Sequence, residues 1–222
     1  MKEKFSVRIL AEIAIFAAIG FALDALQGAL WSGVFYNGGS IGLAMVPVFI
    51  ISYRRGLIPG ILCGLILSVV QLLGGSIYIL AFWQFILDYI LAYTVVGFAG
   101  AFAGLYKNSK KTGMQIVWIV VGCFVGGMLK YASHVIAGIV YWLGDGGNSF
   151  WGIADNLAAF SWIYNGAYCI PNIIISIIFL IIISVAYPQF LKPEMVIINS
   201  VDENLNIDED NNSELKNKEV TE

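Results

Sequence analysis

Apolar residues run along this chain in long blocks, with no strict alternation and no narrow helical stripe. Six blocks stand out, at about 8–27, 39–53, 56–73, 79–106, 114–142 and 158–187. A helix needs about 20 mostly apolar residues to cross a bilayer. A helix apolar on all sides belongs in a membrane or a large core. The pattern predicts an all-α, polytopic membrane protein of six transmembrane helices. The second block is short and is expected to begin inside the membrane or to lie partly on its surface. Glu12 interrupts the first block and no small-residue cleavage site follows it, so that block reads as a retained helix and not a signal peptide.

Composition agrees with the pattern. Hydrophobic residues make up 59% of the chain and charged residues 12%, against about 45–50% and about 25% in soluble domains. The placement of charge adds orientation. Lys2, Lys4 and Arg8 precede the first span, Arg54 and Arg55 separate the second from the third, Lys107, Lys110 and Lys111 separate the fourth from the fifth, and Lys192 follows the sixth. The connections at 28–38, 74–78 and 143–157 carry no Lys or Arg. By the positive-inside rule both termini are cytoplasmic. Residues 188–222 hold nine acids and three lysines, a net −6, whereas residues 1–187 carry +3. The division is therefore a six-helix domain over 1–187 and an acidic cytoplasmic tail over 188–222, too polar to bury a core and expected to be disordered. Cys63, Cys123 and Cys169 all sit in apolar runs without a CxxC and read as small buried hydrophobes.

Ionisable groups inside a membrane cost about 2.5–3.5 kcal/mol each on insertion scales, so they persist where they face protein or water and have partners. Lys130 and His134 lie four apart on one face of the fifth span. Tyr141 and Trp142 continue that face outward. Asp88 lies in the outer half of the fourth span, with Gln84 one turn before it and Tyr89 beside it. An Asp88–Lys130 pair would neutralise two buried charges, either as an internal staple or as part of a binding site. Tyr164, Asn165 and Tyr168 place hydrogen-bonding groups just inside the sixth span, where Asn165 can donate and accept at once. Pro171 is expected to kink or open that helix. Aromatic residues cluster at the same outer level, some of them as an interfacial belt. Together these groups suit an aromatic, hydrogen-bonding ligand that carries positive charge.

The first span has a different character. Ala14, Ala18 and Ala22 recur every four residues, which lets another helix approach closely, either within this chain or from a separate membrane protein. Glu12 and Asp24 fall near the two ends of that span and need not be deeply buried. The chain has no GxxxxGK[ST], HExxH or GxSxG motif and no metal-ligand cluster, so neither ATP-powered transport by this chain alone nor an enzyme is expected.

Several segments carry a resemblance: AEIAIFAAIGFA, GLAMVPVFIISYRRGLIPGILCG, LLGGSIYILAFWQFILDY, KYASHVIAGIVYW and IYNGAYCIPN. Over residues 8–187 the chain resembles the thiamine-specific S components, the substrate-binding membrane subunits of energy-coupling factor transporters. The resemblance implies a thiamine pocket near the outer face, closed by the loop between the first two helices. It implies partners, namely a transmembrane coupling protein and two cytoplasmic ATPases that alone use ATP, with no cofactor and no nucleic acid. By the same resemblance Asp88 sits near the thiazolium and pairs with Lys130. His134, Trp142 and Tyr78 flank the ligand, Asn165 bonds the aminopyrimidine, and Trp31 is the tryptophan of the first outer loop. Tyr89 and Tyr164 complete the expected ligand-binding set. Phe160 stands where the family has a tyrosine. Ala14, Ala18 and Ala22 become the contact to the coupling protein. Another vitamin such as riboflavin, or a structural protein with only the Asp88–Lys130 staple, remains the alternative.

Overall fold

A computed structural model describes residues 6–31, 33–35, 38–74, 79–142 and 157–193. All of its regular elements are helical: α1 (Val7–Trp31), α2 (Val46–Arg55), α3 (Leu57–Gln71), α4 (Phe82–Asn108), α5 (Thr112–Ala137), α6 (Leu157–Ala186) and the short α7 (Pro188–Leu191). Among the described residues, five helices are long and apolar enough to cross a membrane, namely α1, α3 with its 3₁₀ extension to Gly74, α4, α5 and α6. Their outer faces remain apolar. Ile170, Ile174, Ile178 and Ile182 form an exposed stripe along α6, as lipid in place of water requires.

The second element differs from the other spans. The sequence placed a block at 39–53, but helix begins only at Val46, with Pro47 in its first turn, where a missing N–H costs nothing. Residues 38–45 are irregular. Irregular backbone lacks the ladder of a helix and needs other hydrogen-bond partners, and side chains from two helices supply several of them. Asn172 of α6 accepts from the Gly42 N–H at 2.7 Å and donates to the Ser40 carbonyl at 2.8 Å. Gln27 of α1 accepts from the Ala44 N–H at 3.2 Å and donates to the Ser40 hydroxyl at 2.8 Å. Tyr164 donates to the Gly38 carbonyl at 2.8 Å. Gly38 and Gly39 have φ of 89° and 111°, a region that other residues rarely adopt.

Two helices carry local irregularity. Residues 86–91 of α4 form a widened, π-type turn and residues 95–102 a tightened 3₁₀ stretch, and α5 continues through a second π-type turn over Gly138–Trp142. Such turns recur at functional sites. By contrast, α6 runs through Pro171 as one continuous helix, so the helix does not open there. Packing of α6 against α5 along its length holds it helical where an isolated segment would open.

The core is built at the end opposite the irregular segment. Tyr53 is fully buried. Its hydroxyl donates to the Trp118 carbonyl at 2.6 Å, and its ring meets Tyr106 edge-on at 5.4 Å. Tyr106 in turn hydrogen-bonds Ser184 at 2.9 Å. Glu12 of α1 is held by Arg54 at 2.9 Å and Arg55 at 2.7 Å, and Arg54 also donates to the Phe190 carbonyl. The three cysteines are buried, as their surroundings suggested. The tail beyond Pro193 and the connection at 143–156 lie outside the described residues.

Helix α4 lies close to the α2–α3 junction. A Cβ on Gly100 would stand 2.6 Å from Gly56 and Leu57 backbone atoms, which cannot yield as a side chain can. Gly100→Val is expected to cost about 1–3 kcal/mol by overpacking. Gly104→Val, with nothing within 4 Å of its Cβ, is expected to be neutral. Thermal unfolding of the two variants in detergent checks the difference.

Candidate functional site

The widened turn of α4 sets the register of the site. It carries Asp88 and Tyr89 and brings the Asp88 carboxylate level with His134 of α5. Asp88 Oδ1 lies 3.0 Å from His134 Nδ1, and Oδ2 accepts from Gln84 Nε2 at 2.9 Å. Gln84 is itself buried and accepts from the Leu80 N–H at 3.0 Å, so its amide cannot turn away.

Lys130 lies one helical turn further in and does something other than expected. Its ammonium sits over the ring of Tyr93, 3.3 Å from the centroid. Tyr93 donates its hydroxyl to Asp24 Oδ1 at 2.7 Å. Among the described residues no ion pair joins Asp88 to Lys130, which removes the simple staple between them. The reason is geometric: the π-type turn aligns Asp88 with His134, and the aromatic face of Tyr93 receives the ammonium instead. Asp24 also accepts from Gln71 at 2.6 Å and Gln27 at 3.2 Å.

These groups line one cavity of about 690 Å³, within the range of small-molecule sites. Its wall takes Asp88, Tyr89, Lys130, His134, Tyr164 and Asn165 from the sequence-derived set. The side chain of Asn165 is engaged: Nδ2 donates to the Ser161 carbonyl at 3.0 Å and Oδ1 accepts from Tyr168. Phe160 lines the cavity too, its ring stacked on Tyr164 at 5.6 Å, so it offers a face but no hydroxyl. Trp31 ends α1 and packs on Phe35 at 5.8 Å. It is Phe35, not Trp31, that reaches the cavity wall. Tyr78 and the side chain of Trp142 lie outside the described residues.

Sequence reasoning missed Asp24, Gln27, Gln71, Tyr93 and Asn172. Asp24 was discounted as a helix-end residue, but α1 continues seven residues beyond it and Asp24 lines the cavity. The available signal was a second acid in an apolar run. The alanines settle differently. Ala14, Ala18 and Ala22 are all exposed, while Ile9, Ile13, Ala17, Gly20 and Gln27 form the buried face of α1. Their spacing does not serve packing within this chain.

The match to known proteins is consistent along the whole bundle. A family model described as thiamine transporter protein matches residues 10–192. The chain belongs to the thiamine transporter family. It is 35% identical over 196 residues to thiamine transporter ThiT of Bacillus subtilis, covering 87% of this chain and 98% of that protein. It is 27% identical over 201 residues to ThiT of Lacticaseibacillus paracasei, covering 85% and 92%. The solved structure of ThiT from Listeria monocytogenes superposes with a TM-score of 0.68 at 28% identity, covering 83% of this chain and 97% of that one. The cavity described above lies between α1, α4, α5 and α6.

Asp24→Ala would remove the acceptor of the Tyr93 hydroxyl and the Gln71 amide, and one of the two acceptors of the Gln27 amide. A loss of about 1–3 kcal/mol is expected from such orphaned buried groups. It would appear as a lower unfolding temperature of the unliganded protein, and Asp24→Asn, which keeps an acceptor, is expected to lose less.

Proposed function

We propose that this protein is the thiamine-binding membrane subunit of an energy-coupling factor transporter, which captures thiamine from outside and passes it inward after docking to a coupling protein. The observation that carries the ligand class is the charge of the cavity. Its charged lining residues, among those described, are Asp24, Asp88 and Lys130. Two carboxylates thus face one ammonium, and Asp88 is held by the His134 imidazole and the Gln84 amide, with no described Lys or Arg within ion-pair distance. A permanently cationic, aromatic ligand satisfies both the charge and the rings around it. Thiamine, which the relatives are named for transporting, has a thiazolium cation and an aminopyrimidine. Riboflavin carries no cation and fits this charge less well.

In this reading the thiazolium lies near Asp88 and His134, between aromatic faces that include Tyr89. The aminopyrimidine meets Asn165, whose amide exchanges part of its bonding with Ser161 and Tyr168 for the ligand. Phe160 contributes stacking only. Segment 38–45, held by Gln27, Asn172 and Tyr164, closes the cavity. Both termini face the cytoplasm, in line with the basic connections on that side. The exposed alanine face of α1 docks to the coupling protein, and separate ATPases supply the energy. The protein performs no catalysis of its own.

Titration of the detergent-solubilised protein with thiamine is expected to give saturable quenching of tryptophan fluorescence. Asp88→Asn and His134→Ala are each expected to weaken binding by about 10- to 100-fold, the scale of 1.4–2.8 kcal/mol for losing a charge-assisted contact. Undiminished affinity in both folded variants would sink the ligand assignment. Ala18→Trp is expected to bind thiamine normally yet abolish uptake in cells. Normal uptake by this variant would remove α1 from the docking interface.

A further inference from the structure

The end of the bundle away from the cavity mouth is strongly basic. Arg54 and Arg55 close α2, Lys107 closes α4, and Lys110 and Lys111 precede α5. Arg8 and Lys192 join them, and the one described acid at this end is Glu12, which Arg8, Arg54 and Arg55 share at 3.5, 2.9 and 2.7 Å. The described rim therefore carries a formal +6. Residues 194–222 hold nine carboxylates and two lysines, a net −7.

The chain leaves the bundle at the centre of this rim. Arg54 donates to the Phe190 carbonyl and stands over the Phe190 ring at 5.5 Å. Leu191 is fully buried. The Lys192 ammonium lies over the ring of Tyr106, 4.8 Å from its centroid, and Tyr106 immediately precedes Lys107. The start of the acidic segment is thus fixed between the arginine pair and the lysine cluster. The first acids of the main acidic run, Asp202 and Glu203, follow about ten residues later, a reach of up to roughly 30 Å of extended chain.

We propose that the acidic segment 202–214 docks on this basic rim, chiefly on Lys107, Lys110 and Lys111. Single exposed ion pairs contribute little. A tethered segment presents many at once, at a local concentration on the order of millimolar, with a charge nearly equal and opposite to that of the rim. The segment is the favoured occupant because an anionic bilayer surface repels it while the rim attracts it. This inference does not depend on the identity of the ligand in the cavity.

Carbodiimide coupling of the full chain in zwitterionic nanodiscs, followed by peptide mass spectrometry, tests it. A mixture of light and isotope-labelled chains restricts the count to links within one chain. Links from acids in 202–214 to Lys107, Lys110 or Lys111 are expected at low salt. They should fall several-fold at 1 M salt, where the screening length is about 3 Å. Lys110→Glu with Lys111→Glu should remove the links to those positions, and adding Asp208→Lys, Glu209→Lys and Asp210→Lys should restore links in the reversed sense. Both lysines are exposed and remote from the cavity, so retained ligand binding reports correct folding. Absence of intrachain links at low salt, or links indifferent to charge reversal, would overturn the docking. Links that vanish in nanodiscs rich in anionic lipid would overturn it too, by giving the rim to lipid headgroups.

Discussion

Hydrogen bonds to the backbone of residues 38–45 are the constraint from which the outer half of this bundle follows. A non-helical segment lacks the internal bonding of a helix, so its N–H and carbonyl groups look to side chains or water for partners. Gln27 and Asn172 meet them from opposite helices, α1 and α6. Both side chains must point inward at the same level, which holds those helices apart there. The space between them becomes a cavity instead of a packed seam. Irregular backbone thus forms part of the pocket wall.

Charge inside that pocket is distributed by an aromatic ring. Tyr93 offers its face to Lys130 and its hydroxyl to Asp24, so the ammonium and the carboxylate act on one side chain without touching. A desolvated cation over an aromatic face gains about 2 kcal/mol, a partial return on removing it from water. Had Lys130 turned to Asp88, the outer carboxylate would have been neutralised internally and the site closed to a cationic ligand. The two carboxylates are instead distinguished by their partners. Asp24 is tied into structure by a tyrosine and two glutamines, and Asp88 is held by His134 and Gln84.

The helical class and the long spans were legible because lipid leaves a plain mark: about 20 apolar residues in a row have few other uses. Asp88, Lys130, His134 and Asn165 were legible for the complementary reason, since a polar group in such a run is costly. Two things did not show. The pairing within the site depends on the π-type turn at 86–91, which rotates Asp88 relative to an ideal helix, and nothing in ILDYIL announces a widened turn. Asp24 was passed over because a span drawn at 8–27 ended too early, placing it at an edge when α1 continues seven residues beyond it, and Tyr93 because a tyrosine in an apolar span carries no charge to mark it. Pro171 does not open α6, because packing against α5 outweighs the local preference to break.

Helix α1 presents two distinct faces. Asp24 and Gln27 reach from one face into the cavity and the 38–45 segment, while Ala14, Ala18 and Ala22 lie on another face, open to the membrane. The helix is continuous over its 25 residues, about 37 Å at 1.5 Å per residue, and at its inner end Glu12 is clamped by two arginines. A rod fixed at one end cannot tilt under a partner at its alanine face without moving Asp24 and Gln27 at the other. Tilt would therefore strain the bonds that hold the irregular segment over the cavity. On the proposed docking, the same rigidity would work in reverse, since a ligand that braces the cavity wall would also fix the angle at which the alanine face is presented.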